Sequence, residues 1–151
     1  MDLMQRRRQL MGMQKSVLDT SPVIERTGFW TRAIGELSDS PDWCVTKFYN
    51  TDDIPDGTYR ATHINGYIGS DTSSITFQYY FSDGSADFWY FAWTNSRLAV
   101  SSAVKRISRI SFSIEKTKLK DSYAYIVETG KILFAGKNTP YYGHTNISEL
   151  N

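Results

Sequence analysis

The segment Asp87-Phe88-Trp89-Tyr90-Phe91-Ala92-Trp93 is the densest run of ligand-binding side-chain types in the chain. At a two-residue period Trp89, Phe91 and Trp93 share one face, and Phe88, Tyr90 and Ala92 share the other. Indole and phenol rings stack on the apolar face of a pyranose, and their polar tips hydrogen-bond to its hydroxyls. A strand with rings on both sides buries them all only if both sides are covered. Otherwise one set meets solvent, a ligand or another subunit. Trp89, Tyr90, Trp93 and Asp87 are therefore the candidate carbohydrate contacts, and burial of both faces within a sandwich or an oligomer is the alternative. Trp30 and Trp43, which begin strands, are read as core.

Other constellations offer less. Asp52, Asp53 and Asp56 beside Gly57 make an oxygen-rich turn, which suits Ca²⁺, but the spacing is not that of an EF-hand loop. An Asp-rich turn without metal accounts for the same residues. A structural calcium is the one cofactor considered. His63 and His144 have no second ligand at metal-site spacing, so zinc is not expected. His63 falls in a strand and reads as a hydrogen-bonded, half-buried residue. Cys44, the only cysteine, lies mid-strand as an inert core thiol. The chain contains no nucleophile elbow, Walker loop or dinucleotide fingerprint. Its acids, such as Asp83, Asp87 and Asp121, are assigned to turns, so no catalytic pair is named. Arg6-Arg7-Arg8 can grip an acidic surface, or simply form a solvated face. Three charges give only weak, salt-sensitive nucleic-acid binding.

The elements that carry these residues follow from composition and period. The chain has 151 residues, 40% apolar and 22% charged, within the ordinary range for a globular domain. Aromatics reach 15%, with 4 Trp, 10 Tyr and 8 Phe, residue types that favour strands. The net charge of +1 creates no global field toward nucleic acid or anionic membrane. It is uneven, because Arg6, Arg7, Arg8 and Lys15 face only Asp2 in residues 1–15. With one cysteine no intrachain disulfide forms, which fits assembly inside a cell. No apolar run is long enough to span a membrane, and no signal peptide is recognised.

Residues 2–15 predict a short basic helix, too short to be stable alone. Residues 16–27 read as a linker, stopped by Pro22, so residues 1–27 form an arm. From Gly28 the period becomes two. Strands are expected at 29–33, 44–50, 58–64, 75–81, 88–93, 109–114, 123–128 and 131–135. A polar loop is expected at 36–42, turns at 52–57 and 116–121, and a connector at 95–103. Ser82-Asp83-Gly84-Ser85 predicts a hairpin turn, since Asp-Gly tolerates positive φ. Short strands with turns at this spacing predict an all-β antiparallel sandwich over residues 28–136. Residues 137–151 are a polar tail, read as loose or docked on another chain.

The order of motifs resembles a known family. It runs Gly28-Phe29-Trp30, Trp43-Cys44-Val45-Thr46-Lys47, Ile54-Pro55-Asp56-Gly57-Thr58-Tyr59, Ile75-Thr76-Phe77-Gln78-Tyr79-Tyr80, Asp83-Gly84 and Ala103-Val104-Lys105-Arg106-Ile107-Ser108-Arg109-Ile110-Ser111-Phe112. This is similar to the galactose-binding-like jelly-roll modules appended to bacteriophage tail, fibre and baseplate proteins. The leader Met1-Asp2-Leu3-Met4-Gln5-Arg6-Arg7-Arg8 resembles the leaders of small virion-associated proteins of phages of gut bacteria. The resemblance implies a jelly roll in a virion assembled in the bacterial cytoplasm. It also implies anchoring to other virion proteins through Arg6, Arg7 and Arg8, and a homo-oligomer, with a trimer favoured because phage fibres and spikes are often trimers. It brings no fixed sugar-binding signature, so lectin activity does not transfer with the fold.

Two functions compete. One is a non-catalytic virion module that binds carbohydrate of the host surface or mucus. The other is a purely structural assembly protein whose rings make subunit contacts. Nothing positive in the sequence supports an enzyme.

Overall fold

The structure is a computed structural model that describes residues 18–32, 36–51, 62–68, 73–81, 86–93, 98–100 and 105–150. Its strands are β1 (Ile24–Thr27), β2 (Phe29–Arg32), β3 (Glu36–Ser38), β4 (Trp43–Thr46), β5 (Tyr49–Asn50), β6 (Thr62–Tyr67), β7 (Ser73–Phe81), β8 (Ala86–Trp93), β9 (Leu98–Val100), β10 (Lys105–Glu115), β11 (Tyr123–Ile126) and β12 (Ile132–Ala135). Two short 3₁₀ turns, η1 (Lys116–Asp121) and η2 (Ile147–Leu150), are the helical elements among the described residues. The front sheet runs β1-β4-β10-β7-β8, with β5 also paired to β10. The back sheet runs β12-β11-β6-β9, and β2 pairs with β3 as a separate hairpin. Every strand pair is antiparallel. The fold is an all-β antiparallel sandwich, as the two-residue period predicts.

Alternation on β10 builds the core. Ile110, Phe112 and Ile114 point inward and are fully buried against Ile64 and Ile68 around β6, Ala124 and Ile126 of β11, and Leu133 and Phe134 of β12. Phe112 meets Phe134 edge-on at 5.0 Å, and Tyr49 lies 5.4 Å from Phe134. Each fully buried ring or branched side chain contributes roughly 1.5–3 kcal/mol. Gly66 is required where β6 crosses β11. A Cβ there would collide with the Tyr123 carbonyl oxygen and come within 2.8 Å of the Ala124 Cα.

The opposite face of β10 carries Ser111 and Ser113, also buried. The β2–β3 hairpin covers them. The Trp30 amide donates to Ser113 Oγ (2.9 Å) and its indole Nε1 to Ser111 Oγ (3.0 Å), while Ser111 Oγ donates to the Thr46 carbonyl (2.7 Å). Sequence predicts one strand over 44–50; the chain instead breaks at Lys47–Phe48 between β4 and β5. Side chains repair the ladder at the break. The Phe112 amide donates to Thr46 Oγ1 at 3.1 Å, and Phe48 turns out to lie under Arg109 (4.5 Å) and beside Trp30 (5.9 Å).

Several boundaries differ from expectation. The second half of the expected linker 16–27 is β1, whose exposed side chains give no period and which is held by its pairing with β4. The expected loop 36–42 holds β3, a polar strand whose partner is β2. The strand expected at 58–64 is seen from Thr62 and continues through Gly66 to Tyr67. The connector 95–103 contains β9, paired to β6. Asp87, read as a turn acid, lies within β8, and Asp121 ends η1.

The tail is not loose. It docks on its own domain through backbone geometry. The Ile132 amide donates to the Thr145 carbonyl (2.9 Å), Ile147 to Gly130 (2.9 Å), and Asn138 to Lys120 (2.8 Å). Gly143 donates to Thr20 Oγ1 (2.9 Å), and the Ala135 amide to the Thr20 carbonyl (2.7 Å), so residues 18–21 and the tail grip the same edge.

Candidate functional site

Among the described residues the outward face of the back sheet carries a cluster of half-exposed rings. On β6 the alternation sends Ile64, Gly66 and Ile68 inward and leaves His63, Asn65 and Tyr67 half-exposed. On β11 it sends Ala124 and Ile126 inward and leaves Tyr123 and Tyr125 half-exposed. The register sets Tyr123 opposite Tyr67 and Tyr125 opposite Asn65, and side chains directly opposite on one face are neighbours. The Tyr123 and Tyr125 rings are nearly parallel, 10° apart with centroids at 6.4 Å. Tyr141, from the docked tail, closes the group at 4.6 Å from Tyr123 and 5.7 Å from Tyr125.

Polar groups border the rings. Asn65 Nδ2 donates to the Tyr125 hydroxyl at 2.8 Å, and the Asn65 side-chain oxygen accepts the Gly66 amide at 3.1 Å. At the end of the ledge the Glu128 carboxylate accepts the His63 amide (2.9 Å) and lies 2.6 Å from His63 Nδ1. His63 is thus a hydrogen-bonded, half-buried strand residue, as read from sequence, with a carboxylate partner far along the chain. Burial raises the Tyr123 phenol above its ordinary pKa, with Tyr141 and Tyr125 adding to the effect. The Tyr123 phenol is therefore held in its neutral, hydrogen-bonding form.

A groove of about 530 Å³ opens beside the rings, lined by Tyr125, Glu128, Tyr141, Asn146, Ile147 and Leu150 among others. Its size lies in the usual range for small-ligand pockets. One wall is strand and turn and the other is tail. Asn146 Nδ2 donates to the Thr129 carbonyl (3.0 Å), which fixes the two walls together. The tail end is braced by Glu149, whose carboxylate accepts Thr145 Oγ1 (2.6 Å) and the Thr145 amide (3.2 Å) and sits 3.2 Å from His144 Nδ1. Those Thr145 bonds, followed by His144, hold the Glu149 pKa below the ordinary carboxylate value. The arrangement offers ring faces, amide and hydroxyl donors and acceptors, and the Glu128 carboxylate. It can hold a flat polyhydroxylated molecule.

The sequence-predicted residues fall elsewhere. Trp89, Tyr90, Trp93 and Asp87 lie on β8, the last strand in the front-sheet order, opposite Phe77, Thr76, Ser73 and Tyr79 of β7. Their side chains lie outside what the structure describes. Asp52, Asp53 and Asp56, and the arm with Arg6, Arg7 and Arg8, also lie outside the described residues. Among the described residues no three His, Cys, Asp or Glu side chains gather as a metal would require. Cys44 is buried and its thiol pKa is raised by desolvation, as for an inert core thiol; its Sγ sits 3.3 Å from the Ile114 carbonyl. Trp30 is core, as expected, but Trp43 is half-exposed.

The tyrosine ledge went unrecognised in the sequence. Its signal was Tyr123-Ala124-Tyr125, two rings on one face with a methyl between them on the other. Tyr141 had no such signal, because its position depends on the docking of the tail. Among the described residues no helix is long and apolar enough to cross a membrane. Comparison with family models, with curated proteins and with solved structures finds no match.

Proposed function

We propose that this chain is a non-catalytic, virion-associated bacteriophage module that binds carbohydrate of the host surface or mucus through an aromatic ledge. The observation that carries the reading is the juxtaposition of Tyr123, Tyr125 and Tyr141 with Asn65 and the His63–Glu128 pair at the rim of an open groove. Rings supply apolar stacking area at low entropic cost, and the amide, imidazole and carboxylate supply directional contacts for hydroxyls. The virion setting, with a jelly-roll fold of the galactose-binding-like kind, rests on the order of motifs and on the basic leader. In that setting Arg6, Arg7 and Arg8 dock on acidic surfaces of other virion proteins, and a trimer presents several ledges at once.

A glycan array probed with the full chain tests the reading. Signal above background that free sugar competes away is expected. Tyr141→Ala is expected to weaken it at least tenfold. Loss in the Trp89→Ala, Trp93→Ala double variant alone would move the contact to β8. Absence of any glycan signal would refute carbohydrate binding altogether.

A structural assembly role has one observation in its favour. Leu18, Val23 and Ile24 are 50, 50 and 40% exposed along the segment that leads into β1, the other end of the front-sheet order. In that reading this row meets a second copy of the chain, and Ile24→Lys lowers the particle mass measured by light scattering. An unchanged mass would remove this reading's support.

A further inference from the structure

A second cleft lies where β4 begins and β10 ends, and it shares no lining residue with the tyrosine groove. It has a volume of about 350 Å³ and is lined by Asp42, Trp43, Glu115, Lys116 and Thr117. The sequence assigns Trp43 to the core, yet its ring is half-exposed at the first position of β4. Register explains what surrounds it. Trp43 is directly opposite Glu115, the last residue of β10, so both side chains leave the same face as neighbours. The Lys116 amide donates to the Asp42 carbonyl at 2.9 Å and closes the ladder one step further. Phe29 of the β2–β3 hairpin braces the indole from one side, at 5.9 Å and 43°.

Glu115 begins η1 without making a side-chain capping bond. Among the described residues the side chains of Asp42, Glu115, Lys116 and Thr117 and the Trp43 indole nitrogen have no hydrogen-bond or ion-pair partner. A half-exposed Trp and four residues with polar side chains, Asp42, Glu115, Lys116 and Thr117, line one small cleft.

We propose that this cleft is a separate binding site for one neutral pyranose ring. The apolar C–H face of the sugar lies on the Trp43 indole, the Glu115 and Asp42 carboxylates accept its hydroxyls, and Lys116 and Thr117 donate to its oxygens. Charge-assisted bonds from hydroxyl to carboxylate are the strong kind. A compact organic cation would also favour an indole beside carboxylates. The Lys116 ammonium in the same lining opposes it, and a single exposed ring is not the cage such cations need. The site does not depend on the tyrosine ledge, and each stands or falls alone.

The test is amide and indole chemical-shift mapping of the full chain, titrated separately with D-galactose, D-glucose, D-mannose, N-acetyl-D-glucosamine, L-fucose and tetramethylammonium. At least one sugar is expected to move the Trp43 indole N–H and the Lys116 and Thr117 amides along a saturable curve, with a dissociation constant of about a millimolar to tens of millimolar. Glu115→Gln, which keeps the shape of the side chain, is expected to weaken that curve about tenfold. Shifts at Tyr123, Tyr125 and Tyr141 report the ledge independently, so failure of one site is not failure of the other. The proposal is overturned if no sugar moves the Trp43 signals, if Glu115→Gln leaves the curve unchanged, or if only tetramethylammonium binds.

Discussion

Among the described residues, each sheet has an outward patch of similar chemistry, rings among small hydroxyl or amide groups, and the two patches have opposite fates. On the front sheet Trp30 lies over Ser111 and Ser113, with Phe48 beside it. The β2–β3 hairpin covers that face, and Trp30 is 6% exposed with both its nitrogens bonded to serine hydroxyls. On the back sheet Tyr123, Tyr125 and Tyr141 lie beside Asn65 and His63, half-exposed, with a groove in front of them. An aromatic side chain does not announce whether it packs or binds. What decides is whether another piece of chain lies over it. The hairpin spends the polar tips of the front face on internal bonds. The tail approaches the back face and leaves ring area and hydrogen-bonding capacity open.

Substitutions separate the two faces. The largest effect is expected from Trp30→Ala, which removes a buried ring and opens a cavity under the hairpin. Large core truncations of this kind cost about 3–5 kcal/mol, and urea unfolding should show the midpoint falling sharply. If the midpoint barely moves, the hairpin is not the cover described here.

Alkaline unfolding comes next. Burial pushes the Tyr49 phenol up to about 12, against an ordinary value of 10. The folded state thus prefers the neutral phenol, whose oxygen accepts the Val23 amide at 2.8 Å. Because the folded pKa is raised, this contribution is complete below pH 10 and is lost as the pH climbs through about 12. Linkage makes it worth roughly 2–3 kcal/mol. Stability measured from pH 9 upward should decline more steeply in the native chain than in Tyr49→Phe, and equal slopes would contradict the assignment.

A smaller loss is expected from Ser111→Ala. It leaves the Trp30 indole N–H without its acceptor and the Thr46 carbonyl without its donor. A buried group left unpaired costs about 1–3 kcal/mol. A neutral result in thermal unfolding would mean the front face is as wet as the back.

Period-two patterning made much of this sandwich legible. Ile110, Phe112 and Ile114 announce β10 and its inward face, and Tyr123 and Tyr125 announce β11. The unread elements share one property, in that backbone pairing rather than side-chain pattern holds them. β1 has four exposed side chains and is held by its ladder to β4. β3 is Glu-Leu-Ser, polar enough to pass for a loop. Gly66 lies beyond the strand expected at 58–64, since it has no side chain to extend the alternation. It is a strand residue for the same reason, since nothing larger fits against Tyr123 and Ala124. The candidate site was hidden for a related cause. Half of its groove is built by a tail docked largely through amide and carbonyl groups, so Tyr141 carried no periodic signal. The β8 rings were conspicuous in sequence precisely where pattern is loudest, while the ledge needed the third dimension.

The most direct measurement joins the two properties that distinguish the faces. Tyr125→Ala is read in parallel for binding to the best glycan found on the array and for thermal stability. The account predicts at least a tenfold loss of binding with a stability change of about 1 kcal/mol or less, since a half-exposed ring contributes little to the fold. Retained affinity, or a collapse in stability like that of Trp30→Ala, would show that the back face is packing surface rather than a place where a sugar rests.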